Sequence, residues 1–114
     1  MGALYRADFA VRNNADWRQP FHLADGGQDW DLTGAAITMA LKKQKTPGAP
    51  ELVLTTGDGI VVLDAAQGLF EIRVLESAMA ALAPGYYDHD CLIVQGGVTT
   101  ALLEGVVRVE KGIS

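Results

Sequence analysis

Cysteine occurs once in this chain, at Cys91, so no intrachain disulfide can form, and the zinc patterns built on two or four cysteines are excluded. A reducing compartment such as a bacterial cytoplasm is compatible with that usage. Serine is nearly as scarce: Ser77 and Ser114 are the only two, and neither lies in the G-x-S-x-G setting of a serine nucleophile. No segment approaches the ~18 consecutive apolar residues of a membrane helix. The opening "MGALYRADFA" lacks the charged start and apolar run of a secretory signal. Membrane insertion is therefore not expected, and export, if it occurs, needs a route other than a secretory signal, for example release in a particle by lysis. Clustered positive charge is missing too. The 9 Lys and Arg are outnumbered by 14 Asp and Glu, giving a net charge of −5, and only Lys42, Lys43 and Lys45 lie close together. Neutralising phosphates needs clustered cations, so nucleic acid is not an expected partner.

What is present fits one globular domain spanning 1–114: 114 residues, 49% hydrophobic and 20% charged. Alternation of apolar and polar residues recurs along the chain, helical periodicity is almost absent, and an all-β fold is predicted. Strands are expected over Leu4 to Val11 and Trp17 to Leu23, then in "AAITMALKK", "LVLTT", "IVVLD" and "LFEIRV". "QKTPGAPE" reads as a loop, Gly57-Asp58-Gly59 and "AAQG" as turns. The one helix candidate, "ESAMAALA", is stopped by Pro84-Gly85 and is short enough to cross between two sheets. "YYDHDCLIV", a Gly96-Gly97 hairpin turn and "VTTALLEGVVRVE" follow, with Gly105 suggesting a bulge or bend. Together these describe a β-sandwich of about seven strands with one short helical crossing. Leu82, Pro84 and Tyr87 have the spacing of a tyrosine corner, in which a tyrosine opening a late strand bonds back to the preceding connection.

Chemically suggestive residues gather in two places. "YDHDC" puts Asp88, His89, Asp90 and Cys91 side by side, but on a strand neighbours alternate between faces. His89 and Cys91 then share a face with Tyr87 and Ile93, while Asp88 and Asp90 face the other way with Leu92. No carboxylate of this string faces His89, and His22 has no partner evident from sequence. A thiolate nucleophile needs an oriented base and an oxyanion site besides, so no catalytic residues are assigned. Zinc needs about four ligands, and only His22, His89 and Cys91 can supply its N or S share. "GDGIVV" lacks both G-x-G-x-x-G and the P-loop lysine. No cofactor is expected.

The second place is "DGGQDWDLTG", with Asp25, Asp29 and Asp31 around Gly26-Gly27 and Trp30. Its spacing is not that of a calcium loop: counting from Asp25, Gly27, Trp30 and Ala36 stand where an EF-hand has a second acid, its glycine and its glutamate. Asp25-Gly26-Gly27 is expected to be a turn. Leu23 and Leu32 end the two strands it joins, and Asp29 and Asp31 are exposed acids. Trp30 either lies flat as a lid or projects as a partner contact, and Trp30, Asp29 and Asp31 are the candidate contact residues. A carbohydrate-binding module is the alternative reading. It would need Trp17, Trp30, Tyr5, Tyr86 or Tyr87 in an exposed planar row, although Trp17 and Tyr87 fall where core packing is expected.

Several segments in order carry a family likeness: Asp31-Leu32-Thr33-Gly34, Asp58-Gly59-Ile60, Gly68-Leu69-Phe70, Gly85-Tyr86-Tyr87-Asp88 and Gly105-Val106-Val107-Arg108-Val109. In this succession, which spans nearly the whole chain, the sequence resembles small bacteriophage and prophage tail and baseplate proteins, notably the N-terminal domain of phage baseplate upper proteins. The resemblance implies an immunoglobulin-like β-sandwich that acts as a non-enzymatic building block of a tail or baseplate. It further implies contacts with neighbouring virion proteins or with copies of itself, as a homo-oligomer, and a place in the virion after synthesis in the host bacterial cytoplasm. No region after the sandwich offers a coiled coil or receptor-binding head, so a free-standing adaptor is expected. A sandwich also carries edge strands whose unpaired backbone groups can add to a partner sheet.

Overall fold

The computed structural model describes residues 5–45 and 48–112, with Asp25 described by its backbone alone. The expected strand start at Leu4, loop residues Thr46 and Pro47, and Ser114 lie outside the described residues. In chain order the elements are β1 (Tyr5–Arg6), β2 (Phe9–Arg12), β3 (Trp17–His22), β4 (Ala24–Asp25), β5 (Gln28–Asp29), β6 (Ala36–Lys43), β7 (Leu52–Thr56), β8 (Gly59–Asp64), β9 (Leu69–Val74), α1 (Glu76–Met79), β10 (Gly85–Gln95) and β11 (Val98–Glu110). The chain is an all-β domain with one short helix.

Nine of the strands form one sheet in the order β1-β11-β10-β6-β7-β8-β9-β3, with β2 also on β11; β4 and β5 pair separately. The sheet curls because of what happens between β7 and β8. Gly57 and Gly59, with φ of 90° and 95°, wind the chain once around Asp58, so β8 leaves parallel to β7 after pairing over only Thr55↔Gly59 and Thr56↔Ile60. As the ladder between β6 and β7 runs out, the Thr56 hydroxyl takes it over, accepting from the Ile37 amide at 2.8 Å and reaching the Ile37 carbonyl at 3.3 Å. Beyond this corner β8, β9 and β3 form a second arm that faces the first. The result is broadly a β-sandwich made from one continuous sheet.

Strict alternation fills the space between the arms. β6 buries Ile37, Met39 and Leu41, β9 buries Phe70, Ile72 and Val74, and β10 buries Tyr87, His89, Cys91 and Ile93. All the apolar ones belong to a single core cluster. Phe9 closes it where the end strands meet, with ring centroids 5.5 Å from Trp17 on β3 and 5.9 Å from Phe21. The expected helix is shorter than its composition suggests: past Met79 the chain turns through Ala80 to Leu82. Its first turn is capped from 60 residues away, the Asp16 carboxylate accepting from the Glu76 amide at 2.6 Å. The tyrosine corner forms, with the buried Tyr87 hydroxyl donating to the Ala83 carbonyl at 2.7 Å.

Two departures from the expected layout share a cause. The first strand is broken into β1 and β2 at Ala7 and Asp8, and Gly105 sits at this break. It is not a bulge, because its register with His89 is regular; the irregularity falls at Leu102, between the pairs Cys91↔Leu103 and Leu92↔Ala101. A Cβ on Gly105 would stand 2.1 Å from the Ala7 carbonyl oxygen and 2.7 Å from the Asp8 carboxylate. The count rises from the eight segments read as strands to eleven among the described residues for this reason, and because the glycine turn closes its own small hairpin, β4–β5.

Gly105→Ala is expected to displace β1 and β2 and to cost about 2 kcal/mol or more in urea unfolding, as overpacking against backbone does. Ala7 and Asn13 donate to Glu104 and Glu110 on β11, so the alternation aims the Phe9 and Val11 amides there too; in the variant they should exchange faster with deuterium. Tyr87→Phe should cost about 1 kcal/mol in the same unfolding measurement through the lost corner bond.

Candidate partner-contact site

The stretch from Leu23 to Gly34 caps one end of the sandwich. Gly26 and Gly27, with φ of 60° and 83°, make the two-residue turn of the β4–β5 hairpin, as the sequence predicts. Its two flanks are anchored by buried Leu23 and Leu32, and the backbone is tied to the turn before β9: the Leu23 amide donates to Gly68 and the Leu32 amide to Ala65. Gly68 permits this approach, because its φ is 72° and a Cβ there would lie 2.5 Å from the Leu23 carbonyl oxygen.

The three candidate contact residues go separate ways. The exposed Asp29 carboxylate meets His22 Nε2 at 2.7 Å. Asp31 folds back on its own turn, accepting from the Thr33 hydroxyl at 2.6 Å and the Thr33 amide at 2.9 Å. Those bonds, the hydroxyl's first, hold its carboxyl below the usual carboxylate range. Trp30 is the lid of the two alternatives: it is half-buried against the core cluster, and its indole N–H donates to Gln95 Oε1 at 3.0 Å. The Gln95 amide in turn donates to the Asp31 and Thr33 carbonyls at 2.7 and 3.1 Å. Gln95 ends β10, and sequence carries no signal of this clamp because 65 residues separate it from Trp30.

The reactive-looking string behaves as its alternation predicts. Tyr87, His89, Cys91 and Ile93 face inward, while Asp88, Asp90 and Leu92 face out. Burial, and secondarily the Asp90 charge, pushes the Cys91 thiol up to about 12, so the thiolate a nucleophile requires is suppressed. His89 is spent on structure: its Nε2–H donates to the Ala7 carbonyl at 2.5 Å, its ring lies 5.4 Å from that of Phe9, and buried Nδ1 has no hydrogen-bond partner. The alternation puts His89 on one face with Tyr87 and Ile93, but nothing in the sequence announces this clip on the first strand. Among the described residues no group of three or more His, Cys, Asp or Glu is arranged to hold a metal. Trp17 and Tyr87 lie in the core, and Tyr5 and Tyr86 are the exposed large aromatics. Neither group is thus free for chemistry: the one thiol is suppressed and buried, and the one inward histidine serves as a backbone clip.

No protein-family model matches the chain, and no curated protein does. Among solved structures, one from work on multimeric cell-adhesive interactions of VGSC beta subunits aligns over 92% of each chain with a TM-score of 0.46 and 9% identity. An uncharacterized protein from Bacillus anthracis str. Ames aligns over 94% of this chain and 86% of its own, with a TM-score of 0.40 and 12% identity. Likenesses this distant assign neither family nor function.

Cys91 should resist a soluble thiol reagent in the native protein and react fully in urea. The raised thiol pKa has a definite sign: the stability it represents is fully present below pH 9 and is lost as pH rises through about 12. Cys91→Ala should therefore lose less stability than the parent across that window, by up to about 1.4 kcal/mol per pH unit in unfolding midpoints.

Proposed function

We propose that the chain is a non-enzymatic structural protein of a phage or prophage virion, an assembly or adaptor module of the tail or baseplate that works through protein-protein contacts. Its curled sheet is on this reading an immunoglobulin-like sandwich. One observation carries the proposal: each residue run that resembles the phage proteins has a structural duty here, and none lines a reactive site. Asp31 to Gly34 forms the turn that seats buried Leu32. Gly59 makes the corner between the arms, and Ile60 is fully buried behind it. Gly68 admits the cap stretch, Gly85 opens β10 at φ 145° just before the tyrosine corner, and Gly105 admits the first strand. Shared motifs of this kind transmit an architecture, which is what a building block needs.

The protein would be made in the host cytoplasm and end in the particle, with tail or baseplate proteins as partners. Asp29, Asp31 and the exposed rim of Trp30 remain the contact candidates at the capped end. The carbohydrate-binding alternative has less support, since Trp17, Trp30 and Tyr87 are drawn inward and leave no planar aromatic row.

Co-expression with the products of neighbouring genes is the test. Tail-tube, portal or baseplate genes beside this one, and co-purification of their products with this chain, are expected. Failure of every such product to bind would overturn the reading. Binding on a glycan array that Trp30→Ala abolishes would favour the carbohydrate module instead.

A further inference from the structure

Both free edges of the sheet are guarded against strand addition. The Leu23 amide donates across to Gly68, so by alternation the backbone of Arg18, Pro20 and His22 faces the open edge of β3. Pro20 removes the middle donor from that edge. The opposite edge is broken at Ala7 and Asp8, where the Asp8 carboxylate accepts from the Val106 amide at 2.9 Å, and it carries exposed Arg6 and Arg12 on either side. Prolines, breaks and charges on edges are how β proteins prevent sheets from joining end to end.

A different surface is left uncharged. On the outer face of β11, β10, β6 and β7, the register sets Ala101, Leu92, Thr38 and Thr55 in one row and Thr99, Val94 and Ala36 in the next. Leu92 and Val94 are 37% and 41% exposed and stand as a ridge along β10. Beside that ridge the neighbouring strand β6 presents the small side chains of Ala36, Thr38 and Ala40 outward before Lys42, which makes a trough. Charge begins one row further on, where Asp90 lies opposite Glu104 on β11 and Ala40 on β6.

We propose that two copies of this chain pair face to face through this surface, the Leu92–Val94 ridge of each seated in the β6 trough of the other. The proposal deepens the assembly reading above and rests on it. Two observations single out a second copy. A ridge beside a trough on the same patch is self-complementary under a two-fold axis, as an isologous interface requires. The chain also carries a net charge of −5, so two copies meet with least repulsion where an uncharged patch forms the centre of the contact. A standard interface takes about 800 Å² from each partner, roughly an eighth of this chain's 6615 Å² of accessible surface. The ridge and trough form its apolar centre, and Asp90, Glu104 and Lys42 lie at its polar rim.

Sedimentation equilibrium of the purified chain tests this. A monomer-dimer equilibrium is expected, weakened at least tenfold in Val94→Lys and in Thr38→Lys, which fills the trough. Leu63→Lys, on the other arm and 49% exposed, should pair like the parent. A chain that stays monomeric to about 1 mM overturns the proposal, as does a dimer that both face variants leave intact. So does a monomer that loses capture of a tail protein in Val94→Lys, since that puts a different partner on this face. Monomers that still capture tail proteins would refute pairing and leave the assembly reading standing, whereas dimers that capture none would do the opposite.

Discussion

The carbonyl of Ala7 lies directly over a residue that has no side chain, and the closure of the molecule follows from that contact. Gly105 leaves the space, the His89 ring N–H holds the carbonyl from below, and the Asp8 carboxylate takes the Val106 amide that the broken strand no longer reaches. With the break held, β2 can resume along β11 and swing Phe9 between the arms, where it meets Trp17 and Phe21. A curled sheet of this order has two end strands that share no ladder among the described residues, so aromatic packing closes the core at the seam. The same packing buries two polar atoms without partners, His89 Nδ1 and Trp17 Nε1, both on rings that touch Phe9. Each costs about 1–3 kcal/mol, and dense packing of large rings offsets them.

Two of the glycines that carry the resemblance to tail and baseplate proteins, Gly68 and Gly105, are places where backbone meets backbone. Gly68 and Gly105 admit carbonyls from segments distant in sequence, and Gly59 turns one arm into the other. On the reading proposed above, residues given to closure and turning would present a rigid surface rather than a cleft. The thiol and imidazole of Cys91 and His89 point where the strand's alternation sends them, into a core that suppresses the thiolate.

Much of the fold was legible because it is written in short-range pattern. Alternation placed the inner faces of β6, β9 and β10, the glycine pairs placed two hairpin turns, and Tyr87 sat at the spacing of its corner, four residues from its acceptor. Asp31 and Thr33 are two residues apart, so their turn needs nothing from the rest of the chain. The missed contacts were long-range: nothing near Trp30 announces Gln95, and nothing near Glu76 announces Asp16.

The sequence by itself therefore determined which residues face inward, where the chain turns and that it is built of strands, because those are settled by neighbours one to four positions away. Only the tertiary structure decided that the two layers are one sheet, that Gly105 serves a close approach rather than a bulge, and that Trp30 is a lid. It also decided that the edges are guarded while two neighbouring rows of the outer face are left uncharged. Each of these depends on which distant segments share a space, and the alternation of a strand is silent about what lies across the core from it.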